Sequence, residues 1–246
     1  MDDRIVFGLH AVESLLKRNP EQIERLLLQK GRSDKRIVEL IALATKKTTL
    51  SPEVVERKVL DGLCQGRHQG VIAVAGVQDD LDEGDLESLL QSLDHPPFLL
   101  VLDGVTDPHN LGACMRSANA AGVDAVIVPK DKSATLTPVA RKVACGAAEE
   151  TPFFRVTNLA RTLKWLQQFG IWLVGAAGEA ELMVYDQSLT GPLAIVMGNE
   201  GKGMRRLTRE NCDSLVKIPM AGEISSLNVS VATGVCLFEA VRQRRK

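Results

Sequence analysis

The chain has 246 residues, of which 45% are hydrophobic and 25% charged, a balance typical of a protein that folds around a buried core. Aromatic residues make up 4% and the net charge is −1, so neither base stacking nor an overall basic surface indicates nucleic-acid binding. The five cysteines form no C-x-x-C pair, the histidines show no metal-binding spacing, and no apolar run approaches the ~20 residues of a membrane span. The first residues lack the apolar core of a signal peptide. We therefore expect a cytoplasmic protein without metal, disulfide or membrane segment.

Residues 1–77 are predicted to form a small α/β unit. Helical spacing of apolar residues covers Ala11 to Lys17 and Lys35 to Lys46, and strands are predicted at Arg25 to Gln29 and Gly70 to Val77. Ser51 followed by Pro52 is typical of a helix start. Residues 78–96 are acidic and are predicted to be a linker, with a short helix at Leu86 to Leu93.

Residues 97–246 alternate between short apolar runs and helical patterns. Apolar runs typical of strands buried on both faces are Phe98 to Leu102, Ala125 to Val128, Ile171 to Val174, Ala194 to Met197 and Leu215 to Ile218. Helical patterns are Leu111 to Ala121, Thr137 to Ala148, Asn158 to Phe169 and Ser230 to Arg242. This alternation predicts an α/β domain in which helices cover both faces of a parallel sheet.

The loop that follows the first of these strands begins at Asp103 and leads into a helix. Ligands of open parallel sheets bind at the carboxyl ends of strands, so this loop is well placed for function. It contains Asn110 and Arg116, which are six residues apart and could face one side of the first two helical turns. An arginine there could bind a phosphate or approach a reacting hydroxyl. The alternative is a capping asparagine and a surface arginine.

A second polar loop, Val196 to Met204, contains Gly198 and Glu200. Its glycines allow close approach of a ligand to the backbone, but the loop matches neither G-x-x-x-x-G-K-[ST] nor G-x-G-x-x-G. A carboxylate at its centre suits a ligand with hydroxyl or amino groups better than one with phosphates. A tight strand-to-helix turn without a ligand is the alternative.

A third polar loop runs from Ile218 to Ala232 and ends in a helix start, with Ser225, Ser226 and Asn228 as candidate caps. Backbone groups around Ile218, Met220 and Leu227 could bind the edge of an adenine. Since all three loops follow buried strands of one predicted sheet, we expect them to converge on one crevice.

Four basic clusters are candidate RNA contacts, although each could equally be a solvated helix face or a chain end. They are Arg32, Lys35 and Arg36; Arg141 and Lys142; Lys202, Arg205, Arg206 and Arg209; and Arg242, Arg244, Arg245 and Lys246.

The three loops together resemble the signature motifs of the SpoU/TrmH branch of the SPOUT methyltransferases. The matching segments are Asn110-Leu-Gly-Ala-x-x-Arg-Ser-Ala118, Met197-Gly-Asn-Glu-Gly-x-Gly203, Ile218-Pro-Met-x-Gly222 and Ser226-Leu-Asn-Val-Ser-x-Ala232. The front part, with Gly8-Leu-His-Ala-Val12 and Arg67-His-Gln-Gly70, resembles the L30e-like substrate-binding domain of many members. The resemblance thus covers nearly the whole chain.

This resemblance implies a deep trefoil knot in the domain 97–246, a cofactor S-adenosyl-L-methionine bound near Gly198, Ile218, Met220 and Leu227, and a homodimer. It implies a catalytic set of Asn110, Arg116, Glu200 and Asn228. In the family Arg116 is the proposed base, but a guanidinium group normally keeps its proton, so binding an RNA phosphate and stabilising the developing oxyanion is an alternative role.

The resemblance is greatest to members that methylate a guanosine ribose in the peptidyl-transferase P loop of 23S rRNA. We therefore expect S-adenosylmethionine-dependent 2′-O-methylation, with 23S rRNA as partner. A tRNA ribose methyltransferase of the same family, and a non-catalytic rRNA-binding assembly factor, are the alternatives. Fold analogy alone would not decide between them, so the expectation depends on the site residues.

Overall fold

A computed structural model describes residues 5–64, 66–75, 81–224 and 226–245. The strands are β1 (Ile5–Phe7), β2 (Ile23–Gln29), β3 (Glu53–Val55), β4 (Val71–Ala75), β5 (Phe98–Asp103), β6 (Ala125–Pro129), β7 (Phe153–Val156), β8 (Trp172–Ala176), β9 (Leu182–Met183), β10 (Leu193–Gly198) and β11 (Ser214–Lys217). The α-helices are α1 (Leu9–Arg18), α2 (Lys35–Lys47), α3 (Arg57–Leu63), α4 (Glu83–Ser92), α5 (Pro108–Ala121), α6 (Pro138–Ala144), α7 (Ala147–Glu150), α8 (Leu159–Gln168), α9 (Arg206–Glu210) and α10 (Val229–Arg244).

The described residues divide into two compact units. The front unit contains the described residues up to 75 together with Thr135–Glu150, and the main unit contains residues 81–134 and the described residues from 151 onward. This division differs from the predicted boundaries, which kept 97–246 together, because α6 contacts β1 and α7 contacts α1. Residues 76–80, where the predicted linker begins, lie outside the described residues.

In the front unit, four strands form a sheet in the order β1-β4-β2-β3. The strand β4 is antiparallel to β1 and β2, whereas β3 is parallel to β2. Apolar side chains of α1 and α2 are buried against this sheet, among them Val12, Leu16 and Ile37. These contacts follow the helical apolar spacing read in the sequence.

The helix start predicted at Ser51 and Pro52 is wrong. Glu53–Val55 instead pairs as a strand with Leu27–Gln29, and the next helix begins at Arg57. Arg25 on β2 donates two hydrogen bonds to the Glu53 carboxylate, at 2.8 and 2.7 Å. Pairing with a distant strand therefore overrides the local capping signal.

The main unit contains a seven-stranded sheet in the order β7-β6-β5-β10-β8-β11-β9, in which every pair is parallel. All six residues of β5 are buried, as are the first five of β10, which explains their continuous apolar sequences. Flanking helices complete the α/β fold, so the predicted fold class is confirmed. The trefoil knot stays a prediction.

Three features of the main unit were not predicted. The strands β7 and β9 and the helix α9 are short, and their sequences carry little periodic signal.

In the front unit, the helix predicted over Thr137 to Ala148 is broken into α6 and α7, because Cys145 and Gly146 have positive φ angles of 54° and 96°.

The described part of the predicted linker is a helix within the main unit. Asp82 accepts hydrogen bonds from the backbone N–H groups of Gly84 and Asp85, and the Asp85 side chain completes a capping box. Leu86 and Leu90 are buried in the main core. In the part of the chain that the structure describes, no helix has the length and apolar character needed to cross a membrane.

Candidate active site

The three polar loops predicted to carry function emerge at the same edge of the main sheet, where β5, β10 and β11 end. The strands β5 and β10 are neighbours, with Gly198 opposite Asp103 at their last paired position. The chain leaves β5 toward β6 and leaves β10 toward β11, on opposite sides of this pair. Such a reversal of strand order creates a crevice, which is where open α/β sheets bind ligands.

The turn after β10 is closed by backbone hydrogen bonds. The N–H of Asn199 donates to the Gly203 carbonyl at 3.0 Å, and the N–H of Gly203 donates back to Asn199 at 2.9 Å. A Cβ atom at Gly198 would collide with the backbone nitrogen of Met204 and the carbonyl carbon of Gly203. Position 198 therefore requires glycine for the turn to fold back on its own strand.

This turn is also attached to the end of β5. The buried carboxylate of Asp103 accepts a hydrogen bond from the backbone N–H of Arg205 at 2.7 Å, and its Oδ1 lies 3.3 Å from the Arg205 Nε. The Nδ2 of Asn199 donates to the Gly104 carbonyl at 2.5 Å. The loops after the two neighbouring strands are thus fixed to each other by a charged and a neutral contact.

A hydrogen-bonded cluster joins one residue from each predicted motif. Oε1 of Glu200 accepts hydrogen bonds from Asn110 Nδ2 at 3.0 Å, from Asn228 Nδ2 at 2.5 Å and from the backbone N–H of Val229 at 3.1 Å. Asn228 Nδ2 also donates to Asn110 Oδ1 at 3.0 Å. We call Asn110, Glu200 and Asn228 the polar cluster.

Both the donor and the acceptor groups of the Asn228 side-chain amide are fully used in hydrogen bonds. Both Nδ2 hydrogens are engaged within the polar cluster, and Oδ1 accepts from the backbone N–H and hydroxyl of Ser230 at 2.9 and 2.6 Å. Asn228 is therefore the N-cap of α10, one of the three candidate caps. The Glu200 carboxylate lies at the same helix terminus, where the helix dipole stabilises negative charge.

Arg116 lies in the third turn of α5 and is exposed. It follows Asn110 by six positions, which corresponds to about 9 Å along the axis and about 120° around it. The two side chains therefore leave α5 in different directions, so the prediction that they face one side of its first two turns is wrong. Between them, Cys114 is buried against Thr233 of α10, and burial raises the pKa of its thiol to about 11. Cys114 is thus a protonated packing residue.

Beside the polar cluster lies a cavity of about 630 Å³, a size typical of small-molecule sites. All four residues predicted to bind a cofactor line it, namely Gly198, Ile218, Met220 and Leu227. Glu200 and Asn228 also line it, and Asn110 adjoins it through its hydrogen bonds to both. Arg116 is not among the described residues that line it.

The sequence analysis missed a fourth loop of the cavity, Ala176 to Glu179, which follows β8. Arg209 of α9, predicted only as part of a basic cluster, also lines this cavity, and its Nη1 donates to Glu179 Oε1. The available signal was positional, because β8 was predicted as a buried strand and its carboxyl end must reach the same edge of the sheet. Three of its four residues are alanine or glycine, which carry no signal of a chemical role.

Most of the predicted basic clusters are engaged within the chain. Arg141 pairs with the buried Glu149 at 3.0 Å, Arg206 with Glu210 at 2.7 Å and Arg242 with Glu239 at 2.8 Å. The guanidinium of Arg244 lies over the Phe98 ring, 4.3 Å from its centroid. Within the described ranges, no group of three or more His, Cys, Asp or Glu side chains is arranged to hold a metal ion.

Comparison with family models gives two matches that together cover most of the chain. Residues 97–238 match the SpoU rRNA Methylase family, and residues 5–76 match a model described as RNA 2′-O ribose methyltransferase substrate binding. The first match includes all of the polar cluster and the turn at Gly198. The predicted relation to the SpoU/TrmH branch is therefore confirmed.

Similar proteins agree with this assignment. The chain is 61% identical over 240 residues to the 23S rRNA (guanosine-2′-O-)-methyltransferase RlmB of Pseudomonas putida, covering 98% of this chain and 96% of that protein. It is 59% identical over 242 residues to RlmB of Escherichia coli, covering 98% of each. The crystal structure of the SpoU methyltransferase AviRb from Streptomyces viridochromogenes with AdoMet superposes with a TM-score of 0.80 at 28% identity, covering 97% of this chain and 89% of that one. The chain belongs to the SpoU rRNA methylase family.

Proposed function

We propose that this protein transfers a methyl group from S-adenosylmethionine to the ribose 2′-hydroxyl of a guanosine in 23S rRNA. The observation that carries the proposal is the convergence of Asn110, Glu200 and Asn228, from three separate loops, on one edge of the cavity. Relatives at about 60% identity over nearly the whole chain are 23S rRNA (guanosine-2′-O-)-methyltransferases, which supports this substrate.

The residues that line the cavity fit S-adenosylmethionine. Gly198 lines the cavity in a turn that only glycine permits, and Met220 and Leu227 offer apolar surface to an adenosine. The carboxylate of Glu200 provides negative charge near a positively charged sulfonium. We assign cofactor binding to Gly198, Ile218, Met220 and Leu227.

The cofactor, when bound, would supply the methyl group: the ribose oxygen would bond to the methyl carbon as the bond from that carbon to sulfur breaks, and the hydroxyl proton would pass to water. The polar cluster then has the task of orienting the reacting ribose. Orientation of reactants can supply roughly 7–11 kcal/mol of a barrier. Because Glu200 accepts three hydrogen bonds and Asn228 is fixed as a helix cap, the cluster is preorganised before RNA binds.

We assign Arg116 to the RNA rather than to proton removal. A guanidinium group remains protonated in proteins, and its planar fork matches two phosphate oxygens. From its exposed position on α5, Arg116 would hold the phosphate next to the reacting hydroxyl and stabilise the oxyanion as it develops. Arg116→Ala should abolish turnover and leave S-adenosylmethionine binding largely intact.

We further propose that the protein is a cytoplasmic homodimer. On α10, Val231 and Phe238 are about half exposed and lie seven residues apart, on one stripe of the helix. A second copy covering this stripe would lie beside the helix that Asn228 caps. Phe238→Glu should give a monomer by sedimentation analysis, whereas Trp172→Glu, at an exposed aromatic residue on β8, should leave the dimer intact. A dimeric Phe238→Glu protein would contradict the proposed interface.

The proposed function is tested with purified protein, S-adenosylmethionine carrying a tritiated methyl group, and transcripts of 23S rRNA and tRNA. Label should appear as 2′-O-methylguanosine in 23S rRNA, and ribose-methylation mapping of RNA from cells with and without the gene identifies the position. Label in tRNA alone would support the alternative substrate. Absence of heat on titration with S-adenosylmethionine would indicate a non-catalytic binding protein.

A further inference from the structure

The front unit contains a second cavity of about 490 Å³. It lies between the end of β2, the helix α3 and the turn that precedes β4. Its described lining residues are Gln29, Arg32, Arg57, Asp61, Gly66, Arg67, His68, Gln69 and Gly70. The last four form the Arg-His-Gln-Gly segment that the sequence analysis noted, and to which the methyl-transfer proposal assigns no role.

Three guanidinium groups and one carboxylate line this cavity, and the Arg32 guanidinium also pairs with Asp34 at 2.7 Å, so the net charge of these groups is positive. The Asp61 carboxylate contacts two other lining residues. Its Oδ1 lies 3.0 Å from His68 Nε2, and its Oδ2 lies 3.5 Å from Arg57 Nε. Both Arg57 and Arg67 are exposed to solvent at the cavity. Their charges are therefore accessible to an incoming anion.

The base of the cavity is held in a fixed arrangement. The buried His68 accepts a hydrogen bond at Nδ1 from the backbone N–H of Gly70 at 3.0 Å, so its Nε2 carries the proton and donates to Asp61. Gln69 has a φ of 51°, unusual for a residue with a side chain. Its Oε1 accepts from the backbone N–H of Leu9 at 3.1 Å, and its carbonyl accepts from Arg32.

We infer that this cavity binds a phosphodiester of the RNA substrate through Arg57 and Arg67. A guanidinium fork matches two phosphate oxygens, and arginine is the usual side chain for such contacts. No aromatic side chain is among the described lining residues, so base stacking is not the mode of binding. The inference rests on the proposed function, because it assigns to the front unit the task of holding the RNA that the main unit methylates.

The test measures binding of a 23S rRNA transcript to the full chain at several salt concentrations. Arg57→Ala and Arg67→Ala should each weaken binding roughly tenfold. Each should also reduce the slope of log affinity against log salt by about 1, as expected when one phosphate contact is lost. Lys46→Ala, which removes an exposed cation of the same unit outside the cavity and outside the basic clusters, is the matched control and should change neither quantity. Melting temperatures and S-adenosylmethionine affinity should match the wild type.

The inference is overturned if the double variant binds RNA with wild-type affinity and salt dependence, or if Lys46→Ala weakens binding as much as the cavity variants do. A second arm titrates inorganic phosphate alone, and phosphate binding combined with unchanged RNA affinity in the double variant also overturns it. Methylation assays separate this inference from the proposed function. Wild-type protein that fails to methylate the transcript refutes the function, whereas a raised KM for RNA with unchanged kcat in the variants supports the cavity.

Discussion

The Oε1 atom of Glu200 lies 2.5 Å from the Nδ2 atom of Asn228, although the two residues are 28 positions apart and follow different strands. The same oxygen accepts from Asn110 and from the backbone N–H of Val229. One carboxylate oxygen thus connects the loops after β5, β10 and β11. The geometry of the candidate active site depends on that oxygen remaining an acceptor.

The first prediction concerns Glu200→Gln. An amide can direct either an oxygen or an NH₂ group at the three donors, and it lacks the charge that strengthens their hydrogen bonds. We expect kcat to fall roughly 100-fold, because small displacements of positioning groups cost about that much. Glu210→Gln, at an exposed residue of α9, is the control. A Glu200→Gln protein with wild-type kcat would show that the cluster does not position the substrate.

The second prediction contrasts two glycines of the same turn. Gly198→Ala should abolish S-adenosylmethionine binding, because the added Cβ meets the backbone of Gly203 and Met204. Gly201→Ala meets no atom within 4 Å, but its φ of 83° costs a side chain about 1–2 kcal/mol. We therefore expect Gly201→Ala to lower the melting temperature and retain binding. Calorimetric titration of both variants checks this, and equal affinities would contradict the steric argument.

Much of this site could be predicted because its signals are local. The apolar sequence of β5 indicates burial on both faces, which the structure confirms. The helix predicted from Leu111 begins three residues earlier, at Pro108, with Asp107 as its N-cap. Since parallel strands end at one edge, polar loops after such strands must lie near each other. The glycine at 198 and the cap at 228 also follow from short sequence segments.

What could not be predicted depends on contacts between distant parts of the chain. The order of strands, with β10 between β5 and β8, decides which loops touch, and no local pattern encodes it. Pairing with β2 makes Glu53–Val55 a strand despite a helix-start signal. Glu179 enters the cavity only because β8 lies beside β10. Such long-range pairing is outside what sequence periodicity reports.

The third prediction concerns thiol reactivity. Burial raises the pKa of Cys114 to about 11 and the pKa values of Cys212 and Cys236 to about 12, from an ordinary value of 9.0. At pH 8 the thiolate fraction of Cys114 should therefore be about 100-fold below that of an ordinary cysteine. Cys145 is exposed and should react first.

Iodoacetamide labelling of the folded protein at pH 8, followed by peptide mass spectrometry over time, measures these rates. The labelling rate of a buried cysteine should rise about tenfold per pH unit and level off only near the raised pKa, whereas that of an ordinary cysteine levels off near pH 9.0. Protein unfolded in guanidinium chloride is the control, in which all the cysteines should react at similar rates. Cys114 reacting as fast as Cys145 in the folded protein would contradict the buried packing of α5 on α10.

The fourth prediction tests the attachment of the Gly198 turn to β5. In Arg205→Ala the buried Asp103 carboxylate keeps its hydrogen bond from the backbone N–H of residue 205. It loses the guanidinium charge that neutralises it. We expect a loss of about 2 kcal/mol in the free energy of unfolding. Because Asp103→Asn removes the buried charge, the double variant should be less destabilised than the sum of the single variants.

Urea unfolding gives this coupling directly, provided that the m-value is unchanged. Arg206→Ala breaks an exposed ion pair with Glu210 and should change stability by no more than about 0.5 kcal/mol. If the effects of Arg205→Ala and Asp103→Asn add within about 0.3 kcal/mol, the ion pair does not fix the turn. Coupling of about 1 kcal/mol or more means that the buried Asp103 holds this turn through Arg205, and with it Glu200 against Asn228.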